Sequence, residues 1–176
     1  IVPSVIIGDG SNRGQDVAMS GNTVHLVFLQ DNNLIRYTKS TDGGNTFGGI
    51  VTVAETIQGM YSSPNIAASG NNVHVVWSKG GCNSTYSNAD LADNEKIHYA
   101  KSTDGGNTFG SVVSLPALSP GYGCGEQPYP EIAVSGNTVH IVGDTGSDCH
   151  YAGPSGTIGS YCPGNGGLIY YKSTNG

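Results

Sequence analysis

Apolar and polar positions alternate over short stretches that return three times along the chain. The copies read DVAMSGNTVHLVF from Asp16, NIAASGNNVHVVW from Asn65 and EIAVSGNTVHIVG from Glu131. Alternation with a period of two is typical of half-buried strands, and a Ser-Gly-Asn turn between two such runs favours a hairpin. Each copy therefore predicts two antiparallel strands, A and B.

Two further strands follow each hairpin in the repeat. Strand C is predicted in LIRYTKSTDGGNTF, KIHYAKSTDGGNTF and LIYYKSTNG, and strand D in the apolar segments 50–53 and 112–115. The apolar run 5–7 has the character of a strand D, and we expect it to be the outer strand of a sheet whose other strands lie near the C-terminus or in another chain. The repeats run over about 1–47, 48–109 and 110–176.

This repetition predicts an all-β fold, a β-propeller of three four-stranded antiparallel blades. Each small sheet can cover its faces only by packing against neighbouring sheets around an axis. A β-sandwich is the alternative, because short alternating strands alone would permit it. Propellers close with about four to eight blades, so we expect further blades from a second copy or from sequence outside this chain.

Composition limits the kinds of binding partner and the cellular location that we expect for this chain. The net charge is -6 with only 7 Lys and Arg, which argues against nucleic acid, and no apolar stretch reaches the roughly 18 residues of a membrane span. The four cysteines lack C-x-x-C spacing, so disulfides and an extracellular or cell-surface location are expected, with free buried thiols as the alternative. We favour pairing Cys149 with Cys162, which closes a Gly-rich loop, and Cys82 with Cys124, whose loops share one end of the fold.

The octapeptide STDGGNTF occurs twice without change, at residues 40–47 and 102–109. An Asp here can accept hydrogen bonds from turn amides, glycines supply unusual backbone angles, and Phe anchors the loop. The pattern resembles the Asp-box, or BNR repeat, found between strands C and D in propeller blades of sialidases and many other secreted proteins. Asn175 stands where a third Asp is expected.

The resemblance implies a six-bladed ring, of which these three blades form half. It also implies that the boxes hold the fold together and lie on the face opposite the ligand site. The structural box residues are Ser40, Asp42, Gly44, Thr46, Phe47, Ser102, Asp104, Gly106, Thr108 and Phe109. His25, His74 and His140 recur at one position of strand B and are interpreted as structural rather than as metal ligands, because equivalent positions in successive blades are too far apart. No cofactor is expected, and nothing in the sequence supports a structural cation such as calcium.

Sialidases of the resembled family grip the substrate carboxylate with three arginines, and use a tyrosine paired with a glutamate as nucleophile and an aspartate as acid or base. This chain has only Arg13, in the first D-to-A connection, and Arg36, inside strand C. We therefore expect no catalysis by this chain alone.

The D-to-A and B-to-C connections emerge at one end of an up-and-down blade, and here they depart from the repeat and carry tyrosines suited to sugar or protein contact. The inner strands begin at matched positions with Asp16, Asn65 and Glu131. Three roles are open for these residues: a hydrated lining of the channel, contacts to a ligand or cation, or an acid and base pair. The candidate ligand-binding residues are Arg13, Asp16, Tyr61, Asn65, Tyr86, Tyr122, Glu126, Tyr129, Glu131 and Tyr151.

The sequence thus predicts a secreted or cell-surface Asp-box module that binds a glycan or a protein. Two alternatives stay open at this point, a fragment of an exo-sialidase-like glycoside hydrolase and a structural repeat of a surface layer or fibre. Fold resemblance by itself does not choose among them.

Overall fold

The computed structural model describes residues 6–7, 11–55, 60–61, 64–80, 96–115, 129–144, 150–151, 160–161 and 167–175. Every regular element in these ranges is a β-strand, and none of the described residues is helical. The all-β prediction is confirmed for this part of the chain. Accordingly, the described ranges hold no helix that is long and apolar enough to cross a membrane.

Sheet 1 contains four antiparallel strands in chain order, as predicted for one repeat. They are β1 (Asn12–Ser20), β2 (Thr23–Gln30), β3 (Leu34–Ser40) and β4 (Val51–Glu55). Gly21 adopts φ +62° in the β1–β2 turn, a left-handed conformation that glycine adopts at low cost. Asp31 and Asn32 both have positive φ in the β2–β3 turn, which suits the right-handed twist of a tight hairpin.

Sheets 2 and 3 repeat this order. Sheet 2 contains β6 (Asn65–Ser69), β7 (Asn72–Gly80), β8 (Ile97–Ser102) and β9 (Val113–Ser114), with β5 (Met60–Tyr61) paired to the far end of β7. Sheet 3 contains β10 (Glu131–Ser135), β11 (Thr138–Asp144) and β14 (Leu168–Ser173), and β12 (His150–Tyr151) pairs with β13 (Ser160–Tyr161) within the β11–β14 connection. Asp16, Asn65 and Glu131 each pair with a valine of the next strand, so the predicted hairpins share one register.

The sheets pack face to face through two apolar clusters. Cluster 1 joins sheets 1 and 2 through Val27, Leu29, Ile35, Tyr37, Val53, Ala54, Ile66, Val73, Val75, Trp77 and Ala100. Cluster 2 joins sheets 2 and 3 through Val76, Ile97, Val139, Ile141 and Ile169. Each sheet therefore covers its neighbour, an arrangement consistent with a propeller-like fold.

The faces of sheets 1 and 3 that point away from this stack expose apolar side chains. Leu168 of β14 is 80 % exposed, whereas Ile35, at the equivalent position of β3, is fully buried. Val17 of β1 is 56 % exposed, whereas Ile66, its equivalent in β6, is 5 % exposed. Two positions that the inner packing buries are thus left open at the ends of the stack.

Where the N-terminal run 5–7 is described, it pairs with no strand of this chain, and its pairing with a strand of another chain stays a prediction. Ile6 and Ile7 belong to no strand, and Ile6 is almost fully exposed. The Asn12 side-chain amide donates a hydrogen bond to the Ile7 carbonyl at 3.3 Å, so this segment is held beside the start of β1 and does not reach β14. Sheet 3 consequently has three strands among the described residues.

The four cysteines lie outside the described residues, as do the two predicted disulfides, Cys149–Cys162 and Cys82–Cys124. Their pairing stays a prediction from the sequence.

Candidate functional site

The two ends of each sheet differ in how far they follow the repeat. At one end, the loop of residues 40–47 (box 1) and the loop of residues 102–109 (box 2) touch the first turn of their own sheet: the Gly43 amide donates to the Asn22 carbonyl and the Gly105 amide to the Asn71 carbonyl. We call this the box end. The D-to-A and B-to-C connections lie at the opposite end, which we call the connection end.

The Asp104 carboxylate of box 2 is occupied by its own loop. One oxygen accepts hydrogen bonds from the Ser102 hydroxyl at 2.7 Å and from the amides of Asn107 and Thr108 at 2.9 and 3.0 Å, and the other accepts from the Thr108 hydroxyl at 2.6 Å. These donors, led by the Thr108 hydroxyl, hold the pKa of Asp104 well below its usual range. The carboxylate is thereby committed to the turn.

Box 1 repeats this network around Asp42. Its carboxylate accepts from the Ser40 hydroxyl at 2.6 Å, from the Asn45 and Thr46 amides at 3.0 and 2.9 Å, and from the Thr46 hydroxyl at 2.6 Å. The Ser40 and Thr46 bonds lower the pKa of Asp42 in the same way. Both boxes can therefore hold a tight turn, and neither carboxylate is left to bind a ligand.

Box 2 also joins sheet 2 to sheet 1. The Lys39 ammonium donates to the Gly105 carbonyl and to the Asn107 side-chain oxygen, both at 2.8 Å. The Tyr37 ring packs edge-on against Phe109 with ring centroids 5.1 Å apart, a favoured aromatic geometry. Strand C of one repeat thus binds the box of the next repeat.

The three repeated histidines lie beside a tyrosine of the same sheet. The Tyr hydroxyl is 2.6 Å from Nδ1 in the His25–Tyr37 pair and 2.7 Å in the His74–Tyr99 and His140–Tyr170 pairs. Burial lowers the pKa of His74 to about 4, and the charge of Lys101 acts in the same direction. These contacts agree with the predicted structural role, since each ring is bound within its own sheet.

The matched residues at the start of the inner strands connect one sheet to the next. The Asp16 carboxylate accepts a hydrogen bond from the Ile66 amide at 2.9 Å, and the Asn65 side-chain amide donates to the Pro130 carbonyl at 2.7 Å. Glu131, third in the series, is exposed. The structure therefore places Asp16 and Asn65 in one row with Glu131, and gives the first two an inter-sheet contact.

Arg13 lies near this row, but in a strand rather than in the predicted loop. It pairs with Leu29 inside β1, next to a bulge at Gly14, and its side chain is exposed. Strand β1 begins earlier than its equivalents and pairs with β2 back to Asn12, whereas the far end of β7 pairs with the separate strand β5. Arg36, by contrast, is half-buried on sheet 1, where it donates to the Gln30 side chain at 2.9 Å and to Thr52.

The remaining predicted residues are distributed as follows. Tyr129 is 64 % exposed and directly precedes the buried Pro130, one residue before β10. Tyr61 lies in β5 and Tyr151 in β12, and Tyr86, Tyr122 and Glu126 lie outside the described residues. We call the set of Arg13, Asp16, Asn65, Tyr129 and Glu131 at the connection end the inner row. Arg13, Tyr129 and Glu131 are exposed, whereas Asp16 and Asn65 are half-buried.

The inner row offers groups for binding. A guanidinium, two carboxylates and a phenol can take up hydrogen bonds and opposite charges from a polar ligand. Among the described residues, no three His, Cys, Asp or Glu side chains are close enough together to hold a metal ion. This arrangement can recognise a polar surface.

Sequence reasoning missed the contacts between repeats. The spacing Tyr-x-Lys before each box recurs as Tyr37 and Lys39, Tyr99 and Lys101, and Tyr170 and Lys172. That recurrence was the available signal, because a residue kept at one distance from the box in every repeat is expected to contact a box.

Comparison with known proteins finds 36 matching chains among solved structures, and a sialidase is one of them. A sialidase of Trypanosoma rangeli in complex with sialic acid aligns with 94 % of this chain at 11 % sequence identity and a TM-score of 0.43. The chain spans about a third, 36 %, of the length of that sialidase. No protein-family model matches the sequence, and no curated protein matches it either.

Proposed function

We propose that this chain is a propeller-type binding module that holds a glycan or a protein at its connection end and does not catalyse a reaction by itself. The observation that carries the proposal is the difference between the two ends. At the box end, loop carboxylates are saturated by repeated internal bonds. At the connection end, the inner row presents the exposed side chains of Arg13, Tyr129 and Glu131, which do not recur from repeat to repeat.

Several features support binding over hydrolysis. Arg13 is an exposed cation at the connection end, whereas the other arginine in the sequence, Arg36, is bound to neighbouring strands of sheet 1. One arginine is too few for the three-arginine grip that the Asp-box resemblance would require of a sialidase. Secretion or display at the cell surface belongs to the same proposal and rests on the cysteines.

The ligand surface mixes signs in a way that limits its partners. Arg13 can pair with a carboxylate or sulfate, while the exposed Glu131 carboxylate can accept hydrogen bonds from hydroxyl groups. The exposed Tyr129 ring offers an apolar face with a polar edge, which suits stacking on a sugar or packing in a protein contact. A ligand rich in hydroxyl groups with few charges fits this set.

The test is a glycan array of neutral and acidic oligosaccharides, followed by titration calorimetry with any sugar that binds. We expect the Arg13→Ala, Tyr129→Ala double variant to lose binding at least tenfold. Thr103→Ala is the matched control, since Thr103 is exposed at the box end, and it should bind like the unchanged chain.

Hydrolysis of a fluorogenic sialoside by the purified chain would contradict the proposal. Binding that survives the double variant but disappears in Thr103→Ala would place the ligand at the box end and would also contradict the proposal. An array without signal, together with no protein partner, would favour the scaffold alternative.

A further inference from the structure

A cavity of about 310 Å³ lies between sheets 2 and 3, toward the box end. Its walls are apolar apart from Lys172 and Ser173, which close it at the end of β14. The apolar lining consists of Tyr99, Val113, Leu115, Val139, Ile141 and Tyr171. An apolar cavity of about 150 Å³ can hold a benzene molecule, so this one has room for an aromatic ring and part of its backbone.

Each apolar lining residue has an equivalent in the packing of sheet 1 on sheet 2. Strand register fixes the match. Tyr37 pairs with Val27, two residues after His25, and Tyr99 pairs with Val76, two residues after His74, so Tyr99 corresponds to Tyr37. The lining residues Tyr99, Val113, Leu115, Val139, Ile141 and Tyr171 correspond, in that order, to Tyr37, Val51, Val53, Val73, Val75 and Ala100. All six belong to cluster 1 or pack against it.

Two aromatic side chains of cluster 1 have no counterpart among the described residues of the second interface: Trp77, at whose position β11 has Gly143, and Phe109. Phe109, the last residue of box 2, packs against cluster 1 and lies edge-on to Tyr37. The same box is pressed onto Tyr37 at Gly106, where an added Cβ would lie 2.1 Å from the Tyr37 hydroxyl. A phenylalanine on a box loop is therefore what fills this place in the first interface.

Strand β14 ends with the beginning of the same loop. The Asn175 amide donates to the Ser173 hydroxyl at 3.4 Å, as the Asp104 amide donates to the Ser102 hydroxyl at 3.3 Å. Ser173 also lines the cavity. A box loop continuing from Asn175 would thus start at the mouth of the cavity and run past it.

We propose that the cavity between sheets 2 and 3 is a receptor site for the phenylalanine of a third box loop. The occupant is a Gly-Gly-Asn-Thr-Phe segment of the kind that follows Ser102-Thr103-Asp104 in box 2. The phenylalanine ring of this segment packs against Tyr99 as Phe109 packs against Tyr37. The bound ring covers the apolar side chains of Val139 and Ile141 that line the cavity.

The test compares two extended chains. Both continue after Gly176 with the residues that follow Gly105 in the sequence, Gly-Asn-Thr-Phe-Gly-Ser-Val-Val-Ser-Leu, and one carries Ala in place of Phe. We expect the Phe extension to raise the urea midpoint of unfolding above that of the Ala extension, since filling an apolar cavity is stabilising. Val113→Trp, at the exposed edge of the cavity, should abolish the difference between the two extensions.

A second measurement keeps the proposal falsifiable if the extensions impair folding. The acetylated, amidated peptide Gly-Gly-Asn-Thr-Phe-Gly is titrated into the 176-residue chain by NMR, with the Ala peptide as control. We expect shifts at the methyl groups of Val139 and Ile141 with the Phe peptide only. Equal midpoints for the two extended chains, or equal shifts for the two peptides, would overturn the proposal.

Discussion

A glycine-to-alanine pair offers a direct test of how the repeats bind one another. Gly44 and Gly106 occupy the same position of the identical boxes and have similar backbone angles, φ +94° and +85°. They differ in their surroundings. A Cβ on Gly44 would have Val24 at 3.9 Å as its nearest neighbour, whereas a Cβ on Gly106 would lie 2.1 Å from the Tyr37 hydroxyl and 2.4 Å from its ring.

The expected destabilisation follows from two costs. Placing alanine at positive φ costs about 1–2 kcal/mol at either site. At Gly106 the added methyl must also displace Tyr37, which is 1 % exposed and bonded to His25, and overpacking of this kind costs about 1–3 kcal/mol. Gly106→Ala should therefore lower the free energy of unfolding by about 1–3 kcal/mol more than Gly44→Ala does.

The assay is urea unfolding of both variants at pH 7, followed by tryptophan fluorescence, since Trp77 lies in cluster 1 between the two sheets. The Gly44 variant measures the backbone cost alone and serves as the matched control. Equal losses in the two variants, within about 0.5 kcal/mol, would refute the contact between box 2 and Tyr37, because the backbone cost is shared and only that contact differs.

Three further predictions follow, two on pH and one on assembly. Burial lowers the pKa of His74 from 6.5 to about 4. The unfolded chain therefore takes up a proton at His74 at a higher pH than the folded chain does, so stability should fall by roughly 3 kcal/mol as the pH drops from about 6.5 to 4. His74→Gln should flatten this part of the plot of urea midpoint against pH, and an unchanged plot would contradict the burial of His74. The lowered pKa of Asp104 adds stability that is present above about pH 4 and lost below it, and Asp104→Asn should remove that acid limb. The apolar faces around Val17 and Leu168 should join two copies, so light scattering should give twice 18.1 kDa and Leu168→Glu should give the monomer mass, whereas a monomeric unchanged chain would refute the pairing.

The strands could be predicted from the sequence because their signals lie within each repeat and do not depend on contacts with other repeats. Alternation of apolar residues with a Ser-Gly-Asn turn fixes a hairpin locally, and Gly21 adopts the positive φ that such a turn requires. The N-terminal run could not be placed in this way. Ile6 and Ile7 have the apolar character of a strand, but strand formation depends on an available edge, and the bond from Asn12 to the Ile7 carbonyl holds the segment elsewhere.

The inner row shows that sequence also predicts the position of a candidate site residue better than its contacts. Sequence spacing placed Asp16 and Asn65 at equivalent positions, and the register confirms that placement. What spacing could not provide is the partner of each side chain, because the Ile66 amide and the Pro130 carbonyl come from the following repeat. Since these two residues already connect sheets, substituting them would change stability together with any ligand contact. Arg13 and Tyr129 are therefore the better positions for separating binding from folding.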